Sequence, residues 1–406
     1  MKNKICIVSA GGLPIPDVKG GAVERLITMI VEDNEKYQRF QIDVITCYDE
    51  VAILKQKSFK YARFVNIKIK DNTKICSFLH KIQWHMLNWF HLDFSWIYYI
   101  SSSINRYLVK NAKQYDMIVG ECAGVDFCST ASIFYGRDKF CVHLHGNVVA
   151  NSEYENTYGN VISVSDFIMH QYRTNSKLPY YRTATVFNGI ATEHFEKKMS
   201  SEENFLLRKQ LGLSDKDFVL IFCGRIVPDK GVKELIEAVV AINNPNIKLM
   251  IMGASNFGLG DFGEYPKQVK QLVEKYSDNI IFTGFVNNAE LYKYHQIANV
   301  GVVPSMHNDP CPLSLFEFIT SGLPTIATNA GGIPEIGTQD TTLFVNMESM
   351  IPNLISAINQ LYNNPSLMQR MKDAAVKRRE YFNRVRFYND FCNTIEGMIN
   401  LNKKNK

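Results

Sequence analysis

The sequence lacks the features that mark disulfide-rich, metal-binding and membrane-spanning proteins. It has nine cysteines, but none forms a C-x-x-C pair or has the spacing of a zinc site. We therefore expect reduced cysteines in apolar surroundings. No uncharged apolar run approaches the length of a membrane-spanning helix. The opening M-K-N-K-I-C-I-V-S-A-G-G also lacks the apolar stretch of a secretion signal. These absences favour a cytoplasmic globular protein.

Net charge is also small, since 45 Lys and Arg residues face 40 Asp and Glu residues, which gives +5. Residues 51–113 are the exception, with 11 basic residues against 2 acidic ones and all three tryptophans, Trp84, Trp89 and Trp96. Apolar residues recur there at helical spacing and predict two amphipathic helices that meet near Asp93. These helices could pack on a sheet or rest on anionic lipid. Both interpretations stay open.

Strand-like and helix-like segments alternate through the chain. K-I-C-I-V-S-A, F-Q-I-D-V-I-T-C and F-C-V-H-L-H predict strands, with helical patterns between them. This alternation is typical of mostly parallel, doubly wound sheets, whose ligands bind beyond the carboxyl ends of the strands. A length of 406 residues is sufficient for two such domains.

Two predicted strands lead directly into glycine-rich turns. The first reaches Gly20-Gly21 and then a helix from about Ala22, and F-V-L-I-F-C leads to Gly224-Arg225 and Lys230-Gly231. Backbone amides and permanent cations at such turns bind phosphate groups. A turn made only for packing is the alternative, most of all at the first loop.

The segment from Ser305 to Ile336 carries two carboxylates eight residues apart. Asp309 lies in a loop framed by Pro310 and Pro312, and Glu317 lies about one turn inside an apolar helix. Because Glu317 has phenylalanines on both sides, we expect it to be shielded from water and to bind a ligand hydroxyl. The plainer alternative is that Asp309 caps the helix and Glu317 is solvated.

Two histidines, His143 and His145, alternate near the end of F-C-V-H-L-H-G-N and so share one face of a strand. Such a pair can bind a metal ion. The sequence shows no third ligand nearby, so it predicts no metal site there.

The Ser305–Ile336 segment resembles the E-x7-E region of the retaining glycosyltransferases of family 4, with Asp309 in place of the first Glu. Residues 224–231 match the G-R-x-x-x-x-K-G motif of that family. The first glycine-rich loop is similar to an L-P-x-P-x-x-x-G-G-A segment of a spore-coat-type or capsule-type subgroup. The resemblance covers essentially the whole chain, but only loosely at 50–140.

This resemblance implies an α/β fold with two facing Rossmann-like doubly wound domains, of GT-B type, and a C-terminal helix that crosses back. We expect an acceptor-binding domain at 1–187, a nucleotide-sugar-binding domain at 188–380 and the returning helix at 381–406.

The resemblance also implies a set of site residues. Those implied for catalysis are Asp309, Arg225, Lys230 and His145. Those implied for donor binding are Gly20, Gly21, Gly224, Phe285, Val286, Leu313, Ser314 and Glu317. No metal ligand is implied.

The implied function is transfer of a sugar, with its anomeric configuration retained, from a nucleotide diphosphate sugar. UDP is the expected nucleotide, and the acceptor is expected to be a glycan or a lipid-linked sugar in cell-surface polysaccharide synthesis. We expect no required cofactor and no nucleic-acid partner. The expected location is the cytoplasm, with contact between residues 51–113 and an anionic inner membrane face. A sugar-nucleotide epimerase or hydrolase on the same fold, or a non-catalytic coat protein, stays as an alternative.

Overall fold

The computed structural model of the chain describes residues 2–10, 12–68, 96–253 and 264–404. Contacts between residues divide the chain into two compact units. The first comprises Met1–Val164, Ile168–Phe187 and Tyr388–Lys406, and the second comprises Ser165–Phe167 and Asn188–Phe387.

The first unit is built on a seven-stranded sheet. Its strands, in chain order, are β1 (Lys4–Ser9), β2 (Gln41–Cys47), β3 (Ala62–Ile67), β4 (Met117–Glu121), β5 (Phe140–Leu144), β6 (Asn160–Ser163) and β7 (Thr183–Thr185). They lie side by side in the order β3-β2-β1-β4-β5-β6-β7, and every pairing is parallel. The order reverses after β3, which is the arrangement of a doubly wound sheet.

Helices connect these strands. They are α1 (Ala22–Tyr37), α2 (Glu50–Gln56), α3 (Trp96–Asn111), α4 (Ser129–Tyr135), α5 (Ser152–Thr157) and α6 (Asp166–Arg173). Because crossovers between parallel strands are right-handed as a rule, this strand order leads us to expect α1 and α2 on one side of the sheet and α3 and α4 on the other. β1, β2 and β4 are almost wholly buried and read as continuous apolar runs, because helices cover both faces.

The second unit contains a six-stranded parallel sheet. Its strands are β8 (Phe218–Cys223), β9 (Ile247–Met252), β10 (Ile280–Gly284), β11 (Val300–Val303), β12 (Thr325–Thr328) and β13 (Thr342–Val345). Their order is β10-β9-β8-β11-β12-β13. All of these pairings are parallel, so the prediction of two doubly wound domains is confirmed.

The helices of this part of the chain are α7 (Thr192–Phe195), α8 (Ser201–Gln210), α9 (Val232–Ile242), α10 (Glu264–Lys275), α11 (Leu291–Ile297), α12 (Leu313–Thr320), α13 (Ile333–Ile336), α14 (Met350–Tyr362), α15 (Pro365–Arg378) and α16 (Arg384–Lys404). The core packs one face of the sheet against α9 and α14.

The last helix returns to the first unit, as predicted, because α16 belongs to that unit from Tyr388 onward. Tyr388 donates a hydrogen bond from its hydroxyl to Asn34 Oδ1 at 2.9 Å. Farther along α16, Arg39 pairs with Glu396 at 2.6 Å. A buried hydrogen bond and a charge-assisted pair thus fix the helix to α1 and the turn after it.

Most of the cysteines fit the prediction of small core residues. Six of the eight in the described part of the chain are buried, and none of those eight is in a disulfide. Cys223 is half-buried, and Cys122 is exposed and takes a left-handed conformation with φ 55° just after β4.

The basic, tryptophan-rich segment is described only in part. Trp84, Trp89 and the first predicted helix lie outside the described residues, as does the side chain of Trp96. The second predicted helix is confirmed as α3, and Ile100, Ile104 and Leu108 of its apolar stripe are buried. No helix within the described ranges is both long and apolar enough to span a membrane.

Candidate functional site

In the second unit, a buried carboxylate and a lysine meet beyond the carboxyl ends of the strands. Lys230 ends a short 3-10 turn after β8, and Gly231 leads from it into α9. The Lys230 Nζ contacts the Oδ2 of Asp309 in a charge-assisted hydrogen bond. Asp309 is only 3% exposed. The structure therefore brings together two predicted site residues that lie 79 positions apart in the chain.

Weaker contacts complete the shell of the Asp309 carboxylate. The Ser305 hydroxyl donates to Oδ2 at 3.4 Å, and the Cys311 amide donates to Oδ1 at 3.3 Å. His307 Nε2 lies 3.9 Å from Oδ2. A buried carboxylate is stable only with such partners, so Asp309 is held in one orientation.

The glycine-containing turn before α13 packs against the loop that carries Asp309. Gly332 donates its backbone N–H to the carbonyl of Asp309 at 2.9 Å. A Cβ on Gly332 would lie 2.0 Å from the carbonyl oxygen of Pro310. Glycine is thus required there by close approach, since a side chain would push the loop away.

The helix that follows the proline-framed loop begins as predicted, at Leu313. Leu313 and Ser314 are half-buried in its first turn, where backbone N–H groups have no carbonyl partner within the helix. Glu317 is 4% exposed, so the prediction that it is shielded from water is confirmed. Glu317 also forms a hydrogen bond or an electrostatic contact with another part of the protein. Its backbone carbonyl accepts hydrogen bonds from Ser321.

Four further predicted site residues lie just after the ends of β8 and β10 in the second unit. Gly224 follows β8 and donates its backbone N–H to Met252 at 3.0 Å. Arg225 is exposed. Phe285, which is 54% exposed, and the half-buried Val286 follow Gly284 at the end of β10. These residues all lie at carboxyl ends of parallel strands, the usual position for ligand contacts in doubly wound sheets.

In the first unit, Gly20 and Gly21 form the predicted glycine-rich turn before α1. Both have positive φ values, 79° and 101°. Glu24, one turn into the helix, is buried behind Gly21. Burial raises the pKa of Glu24 to about 7, and the nearby Asp17 adds to the shift.

Glu24 is therefore expected to make the folded protein less stable as pH rises. The neutral carboxyl is favoured in the folded protein, so folding is penalised as pH rises from about 4.5 through about 7. We expect Glu24→Gln to raise the free energy of unfolding at pH 8 by up to about 3 kcal/mol, with little change at pH 4.5. Urea unfolding at both pH values checks this. Glu50→Gln, at an exposed position on α2, serves as the control and should show no such pH dependence.

The two histidines of β5 and the following loop have a third partner that sequence reasoning missed. Glu121, the last residue of β4, contacts His143 Nδ1 at 2.9 Å and His145 Nε2 at 2.7 Å through one carboxylate oxygen, Oε2. The prediction that no further metal ligand lies near these histidines is wrong. The acidic residue that ends D-M-I-V-G-E was visible, but the sequence does not show that β4 and β5 are neighbours.

Burial alone would raise the pKa of Glu121, but the two imidazoles more than offset it and hold that pKa at about 2. Burial lowers the pKa of His145. The predicted site residue His145 thus belongs to a buried carboxylate-imidazole cluster within the first unit.

Comparisons with known proteins agree with the fold. Residues 203–378 match the family model for glycosyl transferases group 1. An uncharacterized glycosyltransferase of Methanocaldococcus jannaschii, MJ1607, is 29% identical over 54% of this chain and 51% of its own length. The putative glycosyltransferase YtcC of Bacillus subtilis is 22% identical over 93% of this chain and 88% of its own. The alignment thus spans about half of the archaeal relative.

Among solved structures, the Anabaena protein HepE in complex with UDP is similar in fold. It has a TM-score of 0.72 and 18% identity, over 97% of this chain and 99% of that one. The chain has the GT-B fold predicted from its sequence, and its residues 203–378, most of the second unit, match the glycosyl transferases group 1 family.

Proposed function

We propose that the protein is a retaining glycosyltransferase of family 4, which transfers a sugar from a nucleotide diphosphate sugar. The observation that carries the proposal is the contact of Lys230 with the buried Asp309 beside the start of α12. A cation, a fixed carboxylate and unpaired helix amides together suit a sugar diphosphate.

In the proposed site, the diphosphate takes the place of water around Lys230 and Arg225. The amides of Leu313 and Ser314 add donors, whereas Pro312 has no N–H to contribute. These groups stabilise the negative charge that develops on the leaving phosphate, which we expect to be the largest catalytic contribution. The protein cations supply this charge, so we propose that no metal is required for transfer.

Asp309 would bind hydroxyls of the transferred sugar while Lys230 holds its Oδ2. The sugar then leaves through an oxocarbenium-like state, and the departing phosphate accepts the proton of the acceptor hydroxyl on the same face. The new bond joins the acceptor oxygen to the anomeric carbon as the bond to the phosphate oxygen breaks. Retention follows because both events occur on one face of the ring.

UDP is the proposed nucleotide. The backbone after β10, at Phe285 and Val286, is the proposed contact for the base. HepE, which shares the fold, has been solved with UDP, and this supports the choice without extending that protein's activity to this chain. His145, Gly20 and Gly21, in the first unit, are proposed as further contacts of the donor sugar.

Glu317 is the proposed ligand of the ribose hydroxyls, and its substitution gives the most selective test of that role. We expect Glu317→Gln to weaken UDP affinity by about tenfold or more, the value of one charge-assisted hydrogen bond. The melting temperature of the unliganded variant should stay near that of the wild type. Calorimetric titration with UDP measures the first effect. A large fall in melting temperature with normal UDP affinity would show that Glu317 is only a core carboxylate.

The proposed acceptor is a glycan or lipid-linked sugar of cell-surface polysaccharide synthesis, reached at an anionic membrane face. The described residues that support membrane contact lie on α3 and α4, which contact each other where the Asn105 side chain donates to Thr130 Oγ1 at 3.1 Å. Ile133 and Phe134 are exposed on α4, and Arg106 and Lys110 are exposed on α3. Exposed apolar side chains beside basic residues suit an anionic lipid surface.

We therefore expect the wild type to sediment with vesicles that contain anionic lipid, and less so as salt rises. Ile133→Ser/Phe134→Ser should reduce this binding by several-fold. Val51→Ser/Leu54→Ser removes two exposed apolar residues of α2, a helix that we expect on the other side of the sheet, and should have little effect. If the wild type does not bind anionic vesicles at low salt, a soluble acceptor becomes the better proposal.

Two alternative functions make different predictions. A sugar-nucleotide epimerase or hydrolase would convert the donor without any acceptor. It would therefore change a UDP-sugar that is incubated with the protein alone. A non-catalytic coat protein would bind no nucleotide sugar. The ion pair between Lys230 and the buried Asp309 disfavours the second alternative, because a protein without turnover has no need of a costly buried carboxylate at this position.

A further inference from the structure

The first unit contains a cluster of three potential metal ligands, of which the proposed transfer reaction uses only His145. It consists of Glu121 at the end of β4, His143 within β5 and His145 just after β5. One ligand atom of each lies within 4.8 Å of the others. All three lie at the carboxyl end of adjacent parallel strands.

The backbone itself assembles this cluster. Glu121 and His143 are direct neighbours in the parallel register of β4 and β5. His145 lies two residues farther along and so points to the same side as His143. The two imidazole centroids are 4.3 Å apart. Sheet pairing therefore places Glu121 beside His143, and His145 joins them as the first residue after β5.

The cluster lacks a permanent positive charge. Glu121 is 1% exposed, and its ion-pair contacts in the described part of the chain are the two imidazoles. Its Oε1 atom is buried and has no hydrogen-bond partner among the described residues. An uncompensated carboxylate in an apolar interior is costly, so either a proton on an imidazole or a bound cation must balance it.

We propose that Glu121, His143 and His145 bind a divalent transition-metal ion, with Zn²⁺ as the preferred ion. Two imidazoles and a carboxylate form a common zinc set, with a fourth position left for water or a ligand. Ca²⁺ and Mg²⁺ prefer sites made entirely of oxygen ligands. Zinc ligands in a tetrahedron are separated by about 3.3 Å, so the present contacts of 2.7 and 2.9 Å need to open only slightly.

In this proposal the bound ion holds the imidazole ring of His145 in one orientation. A coordinated imidazole cannot accept a proton at its metal-bound nitrogen, so His145 would present a fixed ring rather than carry protons. The inference shares His145 with the proposed function, but its test is independent of sugar transfer because it measures binding of the ion alone.

Metal-free protein, prepared by dialysis against EDTA, provides the direct test. We expect titration with Co²⁺ at pH 7.5 to give visible absorption bands that saturate at one ion per chain. One equivalent of Zn²⁺ should abolish these bands. Zn²⁺ should also raise the melting temperature relative to the EDTA-treated sample, because a ligand that binds only the folded state stabilises it.

Variants locate the site. Glu121→Gln keeps the size of the side chain but removes its charge, and it should abolish stoichiometric Co²⁺ binding. His145→Asn should do the same, and it serves if the more deeply buried Glu121 variant fails to fold. His170→Gln removes an exposed histidine of α6 and should bind Co²⁺ like the wild type.

Two results would overturn the proposal. Absence of Co²⁺ and Zn²⁺ binding to the folded wild type would mean that a proton balances Glu121. Binding that survives both cluster substitutions would mean that the ion lies elsewhere. The same preparations are also titrated with UDP, so that failure of the metal proposal can be distinguished from failure of the proposed function. A protein that binds no metal should still bind UDP.

Discussion

Lys230→Ala is expected to lower kcat/KM for the nucleotide sugar by about two orders of magnitude or more, and to weaken UDP binding at least tenfold. The reason is that the variant removes a cation proposed to stabilise the charge on the leaving diphosphate. It also leaves Asp309 buried without its principal counterion. Steady-state kinetics and calorimetric titration measure the two effects.

Loss of stability has to be separated from loss of chemistry in this experiment. Breaking a buried pair from one side costs about 3–5 kcal/mol, so Lys230→Ala should also lower the melting temperature. The double variant Lys230→Met/Asp309→Asn removes both charges and should recover much of that stability without recovering UDP affinity. If the double variant binds UDP as the wild type does, Lys230 and Asp309 are a structural pair and not a binding site.

A surface lysine three residues away is the matched control. Lys233 lies in the first turn of α9, with a half-exposed side chain 3.9 Å from Glu237. Such a pair contributes at most about 0.5 kcal/mol. Lys233→Ala should therefore keep normal kinetics and nearly normal stability.

The second large effect is expected when a single methyl group is added at Gly332. Gly332→Ala should destabilise the protein by about 1–3 kcal/mol, the usual cost of overpacking, and should lower UDP-sugar turnover by at least about tenfold. The φ angle of Gly332 is −86°, a value that any residue can adopt. Backbone strain therefore does not explain the expected loss. The cause is instead the 2.0 Å approach of the added Cβ to the Pro310 carbonyl, which would displace the loop that holds Asp309.

Gly397→Ala provides the comparison within the same chain. Gly397 lies inside α16, and an added Cβ would meet no atom within 4 Å. Because alanine favours helix over glycine by about 1 kcal/mol, this variant should be as stable as the wild type or slightly more stable. Thermal unfolding and turnover of the two variants together check the prediction. Equal behaviour of the two alanine variants would show that the Asp309 loop tolerates displacement.

The sequence was sufficient to predict the fold because its signals are local. Alternating strand and helix patterns predict parallel sheets, and the start of α12 after two prolines follows from the restrictions that proline imposes. The burial of Glu317 was predictable as well, since its neighbours Phe316 and Phe318 are apolar on both sides.

Contacts that depend on strand order could not be derived in the same way. Lys230 and Asp309 meet because β8 and β11 are neighbours in the second sheet, and Glu121 joins the two histidines because β4 pairs with β5. Cys122 escaped the prediction of buried cysteines for a related reason. It follows the last residue of β4 in a left-handed turn, a conformation that no apolar pattern indicates.

Binding of nucleoside diphosphates to the wild-type protein tests the central claim most directly. Melting temperatures are measured with 1 mM UDP, GDP, ADP or no nucleotide, in the presence of EDTA and again with Mg²⁺. The account predicts that UDP raises the melting temperature by the same amount with and without the metal. It also predicts that Lys230→Met/Asp309→Asn loses the shift. A wild-type protein whose melting temperature none of the nucleotides changes would contradict it.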